Sequence, residues 1–342
     1  MQVAGPLFSE TSRSLAAKFL TPAMFDRLSG RKTATGFTLA RAIQSGQKNH
    51  DSSIGIYAGD AESYTLFREI FDPVITAYHQ ITGSVRHFGN LSPLDPVDLD
   101  PDKAFILSSR VRVARNLFAH AFTPHISRQP RHCAEKQILD ALKHLPVPLK
   151  GRYHPMGELT PEQIRDKALS GRAFAPGDRF QEAAGILADF PLSRGVYTSA
   201  DKKFMVWINE EDHLRIICME KSGQLFQVFN RLVAALDMLG RHLVFASHPD
   251  LGYLNACPTN IGTAMRAGVH IRLPKLEKQP EVLEKLAHAH GLQIRGTAGE
   301  KTQVTGSVFD ISNRRRLGVC ETQIIQDLSS GIAALIKKEK KL

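Results

Sequence analysis

Long apolar runs are missing from this 342-residue chain. None is long enough to span a bilayer, and the opening MQVAGPLFSETSRS lacks the apolar core of a secretory signal. Cysteine is sparse too. The four thiols, Cys133, Cys218, Cys257 and Cys320, lie far apart without a CxxC pair, which argues against a disulfide framework or a structural zinc site. The expected compartment is therefore a reducing cytoplasm, with no membrane partner. Aromatics are only 7% of residues, too few for stacking platforms among basic residues, so the net charge of +10 does not by itself indicate a nucleic-acid binder. Basic runs are limited to Arg314-Arg315-Arg316 and the segment from Lys337 to Lys341, which suits a helix C-terminus. Walker A, HExxH, GxSxG and kinase-type HRD and DFG motifs are all absent; GRKT at Gly30–Thr33 lacks the Gly-Lys adjacency.

What is present is an ordinary globular composition, 42% hydrophobic and 23% charged. The first ninety residues read as helical, over Ser14–Leu20, Pro22–Leu28, Thr38–Gln44 and Tyr64–Ile81, with Thr21-Pro22 as a helix start. LSPLDPVDLDPDK then breaks all periodicity. Beyond it come β-like runs at Ala104–Val113, Phe204–Ile208, Leu214–Met219, Val269–Leu273, Leu292–Arg295 and Val308–Ile311. Helical patterns start at Thr160-Pro161, span Gln224–Leu239, run from Pro280 to Gly291 and end with Glu321–Glu339. The expected class is α+β: a helical N-terminal domain over 1–91, a linker over 92–103, and over 104–342 an antiparallel sheet flanked by helices.

Four stretches concentrate chemistry. In WINEEDHLRI, alternation places Glu211, His213 and Arg215 on one face if the strand begins near the second glutamate; a solvated turn would also hold the acids, but Arg215 within an apolar strand needs a partner. In CPTNIGT, Cys257 sits in a tight loop among donors, surroundings that favour thiolate, although a buried inert thiol has the same sequence. RGTAGEKTQVTG carries Arg295 and Glu300 in a glycine-rich loop that suits a lid. ILSSRVRVAR sets Arg110 and Arg112 two apart on a strand. Arg266 and His270 follow the Cys257 loop. Arginines converging from strands suit a polyphosphate, and converging carboxylates suit a cationic planar group. The combination points to phosphoryl transfer from a nucleotide to a nitrogen base, with Mg²⁺ on the phosphates.

NEEDH, CPTNIGT, the SRVR pair, the RGTAGE loop and DISNRRRLG together resemble the phosphagen kinases, from about Thr21 to the C-terminus. Within that family DSSIGIYAGDAESY is most similar to the arginine kinase specificity loop. The resemblance implies reversible phosphorylation of L-arginine by Mg-ATP, in a monomer or homodimer. It assigns Glu211, Glu300 and Cys257 to the guanidinium. It assigns Arg110, Arg112, Arg215, Arg266 and Arg295 to the ATP phosphates, and His270, Ser109 and Asp310 to the nucleotide. Ser53, Ile54, Gly55 and Tyr57 would meet the rest of the substrate, and Glu210 and Asp212 would stand in the outer shell of Mg²⁺. Thr198 and Gly268 depart from a usual histidine and serine, and Ala298 and Lys301 from an arginine and histidine. These changes predict weaker nucleotide binding. Rivals are taurocyamine, lombricine or creatine as acceptor, and a protein-arginine kinase, which the SIGIY loop disfavours.

Overall fold

Residues 8–84, 86–169, 173–296 and 305–342 are described by the computed structural model. The N-terminal helices start where their caps dictate. Ser14 and Thr21 accept the Ala17 and Met24 N–H groups at 3.1 and 3.2 Å, opening α1 (Leu15–Phe19) and α2 (Pro22–Ser29). Two expected helices are each split, into α3 (Leu39–Ala42) and α4 (Gln44–Lys48), and into α5 (Ser63–Leu66) and α6 (Arg68–His79). The second break falls at Phe67, whose φ −106° and ψ 26° leave the helical region while its ring is fully buried. Packing of that ring outweighs continuity of the helix.

The linker segment has neither helix nor strand, yet it is pinned. Leu94 exchanges two hydrogen bonds with the Asn230 side chain, and Asp100 accepts the Phe105 and Ile106 N–H groups at 2.7 Å each. Those bonds aim the chain into β1 (Ile106–Arg115). Next come α7 (Arg128–Leu142), β2 (Gly151–Pro155), α8 (Pro161–Leu169), α9 (Arg179–Ala183), β3 (Gly195–Ser199), β4 (Phe204–Ile208) and β5 (Leu214–Glu220). They are followed by α10 (Leu225–Gly240), the two-residue strands β6 (Ser247–His248) and β7 (Gly252–Tyr253), and β8 (Met265–Arg272). The chain ends with α11 (Pro280–Ala289), β9 (Leu292–Arg295), β10 (Val308–Asn313) and α12 (Glu321–Lys341).

Eight strands form one antiparallel sheet in the order β2-β3-β4-β5-β1-β8-β10-β9. Alternation gives it two unlike faces. Val111, Val113, Ile216, Cys218, Ala267, Val269 and Ile311 join the core on one side, beneath α10 and α12. Burying each of the larger ones stabilises the fold by about 1.5–3 kcal/mol. The neighbouring positions on the other side carry the arginines. A second apolar cluster joins the N-terminal helices to Phe122, Ala246, Leu251, Leu254, Ala256, Ile261 and Leu317. Among the described residues no helix is long and apolar enough to cross a membrane.

Candidate active site

The strand register assembles the cationic face. Arg110 and Arg112 share a side of β1; Arg266 on β8 stands directly opposite Arg112, and Arg215 on β5 opposite Ala114. Farther across, Ser108, His270, Asp310 and Arg295 line up on β1, β8, β10 and β9. Two of the arginines have acids. Arg215 pairs with Glu210 at 2.8 Å and Glu211 at 3.1 Å, and Arg266 pairs with Asp310 at 2.5 Å. Burial lowers the Arg215 pKa, but the three acids of its turn outweigh it and hold the group above its ordinary value.

Among the described residues neither Arg110 nor Arg112 has an ion-pair partner. Burial, then the charges of Arg215, Arg110 and Arg266, push Arg112 well below the usual guanidinium range. Arg110 is depressed by its protein surroundings and by Arg215 and Arg266, although its side chain still reaches solvent. Like charges placed directly opposite on a sheet repel. This face is short of negative charge, and a polyphosphate supplies it.

The acidic turn between β4 and β5 is built to point two of its acids inward. Asn209, in the left-handed region at φ 55°, ties the turn down by donating to Arg131 O and Ser193 O at 3.2 and 2.8 Å. Asp212 accepts from the Asn116 amide at 2.7 Å and from the Ala256 N–H at 2.8 Å. It is 2% exposed and committed to joining the turn to the Cys257 loop, not to a metal's water. His213 does not share the face of Glu211 and Arg215: its ring is buried between the Leu117 N–H at 3.0 Å and Ala121 O at 3.0 Å. Burial depresses its pKa to about 3, so it is neutral. That leaves Glu210 and Glu211 for chemistry. Burial, followed by the charge of Asp212, lifts Glu211 to about 7.

Four carbonyls of the Cys257 loop are held from outside it. Tyr64 Oη donates to Asn255 O at 2.6 Å, the Ala58 N–H to Ala256 O at 2.8 Å and Arg316 to Thr259 O at 2.9 Å, while His79 Nε2 lies 2.9 Å from Pro258 O. Cys257 itself is 7% exposed, with Sγ 3.2 Å from the Thr259 hydroxyl. Burial and then Glu211 push its thiol up to about 12, against the pull of Thr259. The expected thiolate is therefore a thiol in this structure, because the sulfur's own burial, together with the charges of Glu211 and Asp212, outweighs the donors.

The loop before α5 closes the site from the N-terminal side. The carbonyls of Ser53 and Ile54 accept from the Leu15 and Ala16 N–H groups at 3.0 and 2.9 Å. Their own N–H groups have no acceptor among the described residues. Gly55, at φ 74°, has no room for a Cβ, which would sit 2.6 Å from Ser14 Oγ. The Ile54 side chain points into the core. Tyr57 is half-buried; burial, then the charges of Cys257 and Glu211, raise its pKa, so it stays a phenol. Arg179 ties the start of this loop by pairing with Asp51 and donating to Asn49 at 3.2 Å.

Ser109 is not on the cationic face. Its buried hydroxyl donates to Ser222 O at 2.8 Å on the opposite side, and Ser108, 3.3 Å from His270, stands in the cleft instead. Arg316 was hidden in a basic run but belongs to the site. Thr198 lies on the cleft side, in line with Met205, Ile217 and Arg112 across the sheet. At Gly268 a Cβ would stand 2.9 Å from Ile311 O, so a serine there would require β10 to move. Glu300, Ala298 and Lys301 lie outside the described residues.

Residues 134–342 match the family model described as ATP:guanido phosphotransferase, C-terminal catalytic domain, and residues 10–76 match its N-terminal domain. Arginine kinase Scy s 2 of Scylla serrata is 43% identical over 336 residues, covering 96% of this chain and 94% of that protein. Arginine kinase Lit v 2 of Penaeus vannamei gives the same identity and coverage. Among solved structures, a lombricine kinase has a TM-score of 0.90 at 35% identity, over 96% of this chain and 93% of that one. The duplicated taurocyamine kinase from Schistosoma mansoni with bound transition state analog components scores 0.88 at 36% identity, over 98% of this chain and 47% of that one. A cationic sheet face, a half-buried acid near a buried thiol and matches along nearly the whole length lead to one conclusion: the chain belongs to the ATP:guanido phosphotransferase family.

Proposed function

We propose that this protein is an arginine kinase, which reversibly transfers the γ-phosphoryl group of Mg-ATP to a guanidino nitrogen of free L-arginine. One observation carries the reading. A sheet face with more guanidinium than acid meets a half-buried carboxylate, Glu211, and a buried thiol, Cys257, beneath a loop ending at Tyr57. Arg110, Arg112, Arg215, Arg266 and Arg295 hold the phosphates, and Ser108, His270 and Asp310 line the nucleoside end of the same face. The adjacent N–H groups of Ser53 and Ile54 suit the substrate carboxylate, Gly55 lets the loop approach, and the Tyr57 hydroxyl takes the amino end.

A guanidinium with a pKa above about 12 is no nucleophile until a proton leaves. Glu211, lifted to about 7, is a stronger base than an ordinary carboxylate and accepts that proton. The N–P bond forms as the P–O bond to ADP breaks. Cys257 gives the guanidinium a further contact, and a cation beside the sulfur favours thiolate. Glu300 is assigned the second carboxylate of the clamp. The donor set fits a magnesium ion that arrives with the nucleotide: among the described residues no three acids, histidines or cysteines could hold a cation alone. Glu210, half-buried beside Arg215, is left to meet the ion's water. When bound, magnesium offsets phosphate charge.

Phosphorus NMR tests this directly. Incubation with Mg-ATP and L-arginine should produce ADP and a phosphorus–nitrogen resonance, lost in Glu211→Gln. Release of inorganic phosphate alone would refute it.

A further inference from the structure

Residues 121–125, between β1 and α7, take no part in the chemistry above, yet they are held from two sides. On one side is the acidic turn. Ala121 O lies 3.0 Å from His213 Nε2, and the buried Thr123 hydroxyl donates to the backbone carbonyl of Glu211. On the other side is the helical N-terminal part. The Phe122 N–H donates to Gly59 O at 2.7 Å, just past the loop that ends at Tyr57. Arg41 of α3 donates to Pro124 O at 3.0 Å and stands 2.9 Å from His125 Nδ1, while His125 Nε2 lies 2.8 Å from Thr35 O. A guanidinium only donates and a carbonyl only accepts, so Nδ1 is bare and Nε2 carries the proton. His125 therefore clasps the N-terminal part as a neutral ring, with one nitrogen in each role. The buried ring of Phe37, 5.2 Å from that of His125, backs the clasp.

We propose that residues 121–125 form a strap through which the helical N-terminal part sets the position of Glu211, with Thr123 and His125 as positioning residues. Glu211 is fixed at two points. Arg215 holds its carboxylate at 3.1 Å, and Thr123 holds the carbonyl of the backbone from which that side chain springs. Removing the Thr123 hydroxyl leaves that carbonyl short of a donor and frees the turn to shift. Opening the clasp at His125 acts on the same point, because one short segment carries both residues. A displacement of about 1 Å costs a positioned group on the order of 10²-fold in rate. Through Gly59 the strap also holds the chain that continues from Tyr57, so the substrate loop and the base share one support. The consequence for turnover rests on the proposed function, in which Glu211 is the base; the effect on the turn does not.

The test compares Thr123→Ser, which keeps the hydroxyl, with Thr123→Val, which does not. It also compares His125→Gln, whose amide has both a donor and an acceptor, with His125→Lys, which only donates. Thr123→Val should lower kcat about tenfold and His125→Lys about threefold while KM for ATP stays put, and the Ser and Gln variants should stay near native. Because both residues act through one strap, the double variant of Val and Lys should lose little more than Thr123→Val alone. The single tryptophan, Trp207, gives a readout that needs no turnover: it lies on the strand entering the turn, with the Arg215 guanidinium 5.5 Å over its ring. Its emission should shift in the Val and Lys variants and not in Ser or Gln. Native kcat in Thr123→Val, equal losses within either pair, or losses that multiply in the double variant would overturn the proposal. If Thr123→Val does not fold, the Gln–Lys pair decides. A native chain without kinase activity would refute the proposed function, and Trp207 emission would then decide on the strap by itself.

Discussion

Glu211 carries two opposite demands. It must be buried to hold a substrate proton, and burial makes its ionised form costly. Its folded pKa, near 7, lies above the unfolded value of about 4.3. Between those values the native state binds the extra proton, so stability falls as pH rises through that window. Glu211→Gln has no such loss: thermal melts should show the variant more stable than the native chain at pH 8, with the gap closing toward pH 5. Activity moves the other way. kcat/KM for arginine should fall as pH drops below about 7, because the base must be ionised. The same substitution should cut turnover by about 10²–10⁴-fold, with ADP binding nearly intact by calorimetry. Cys257→Ala should lose less, and equal losses would require a different base. Thr198→His should tighten ADP in the same titration if the threonine weakens the nucleotide site.

At the scale of elements, β1 shows what sequence makes legible. Its alternation of Val111 and Val113 with Arg110 and Arg112 fixes two faces, and the structure has both. The same alternation puts Ser108, not the Ser109 that the resemblance assigns to the nucleotide, on the side of the arginines, and pairing with His270 on β8 agrees. His213 leaves the face expected of it because the strand begins one residue after it. Neither α7 nor β3 has a strong signal, one opening with RQPRH and the other only five residues long. Arg112 costs this element stability. Arg112→Met should raise the melting temperature by roughly 2–4 °C for each kcal/mol recovered, and weaken ATP binding about 10–100-fold. A melt that falls instead would show that Arg112 is already compensated. In the loop before α5, Gly55→Ala forces a Cβ against Ser14 at positive φ. KM for arginine should rise about tenfold without change in ADP affinity.

Across the whole molecule, the helical N-terminal part is bound to the sheet domain by more than a linker. Phe122, Leu251, Leu254 and Leu317 complete its apolar cluster, and Ala58, Tyr64 and His79 grip the Cys257 loop. Calorimetry should therefore show one cooperative unfolding transition, and residues 1–91 alone should not fold. Two separate transitions would mean that the shared cluster couples little. None of this was visible in the sequence, where LSPLDPVDLDPDK marks a break but says nothing of what packs across it. Nor could the ionisation of Cys257 be read from CPTNIGT, since it follows from burial in the folded chain and then from acids of a turn some forty-five residues earlier. The measurement that bears most directly on function is a coupled phosphoryl-transfer assay with Mg-ATP. Arginine, creatine, taurocyamine, lombricine and an arginine-containing protein would be offered in parallel. Turnover confined to free arginine is expected; turnover with another acceptor, or with none, would contradict the assignment of Tyr57 and its loop to arginine.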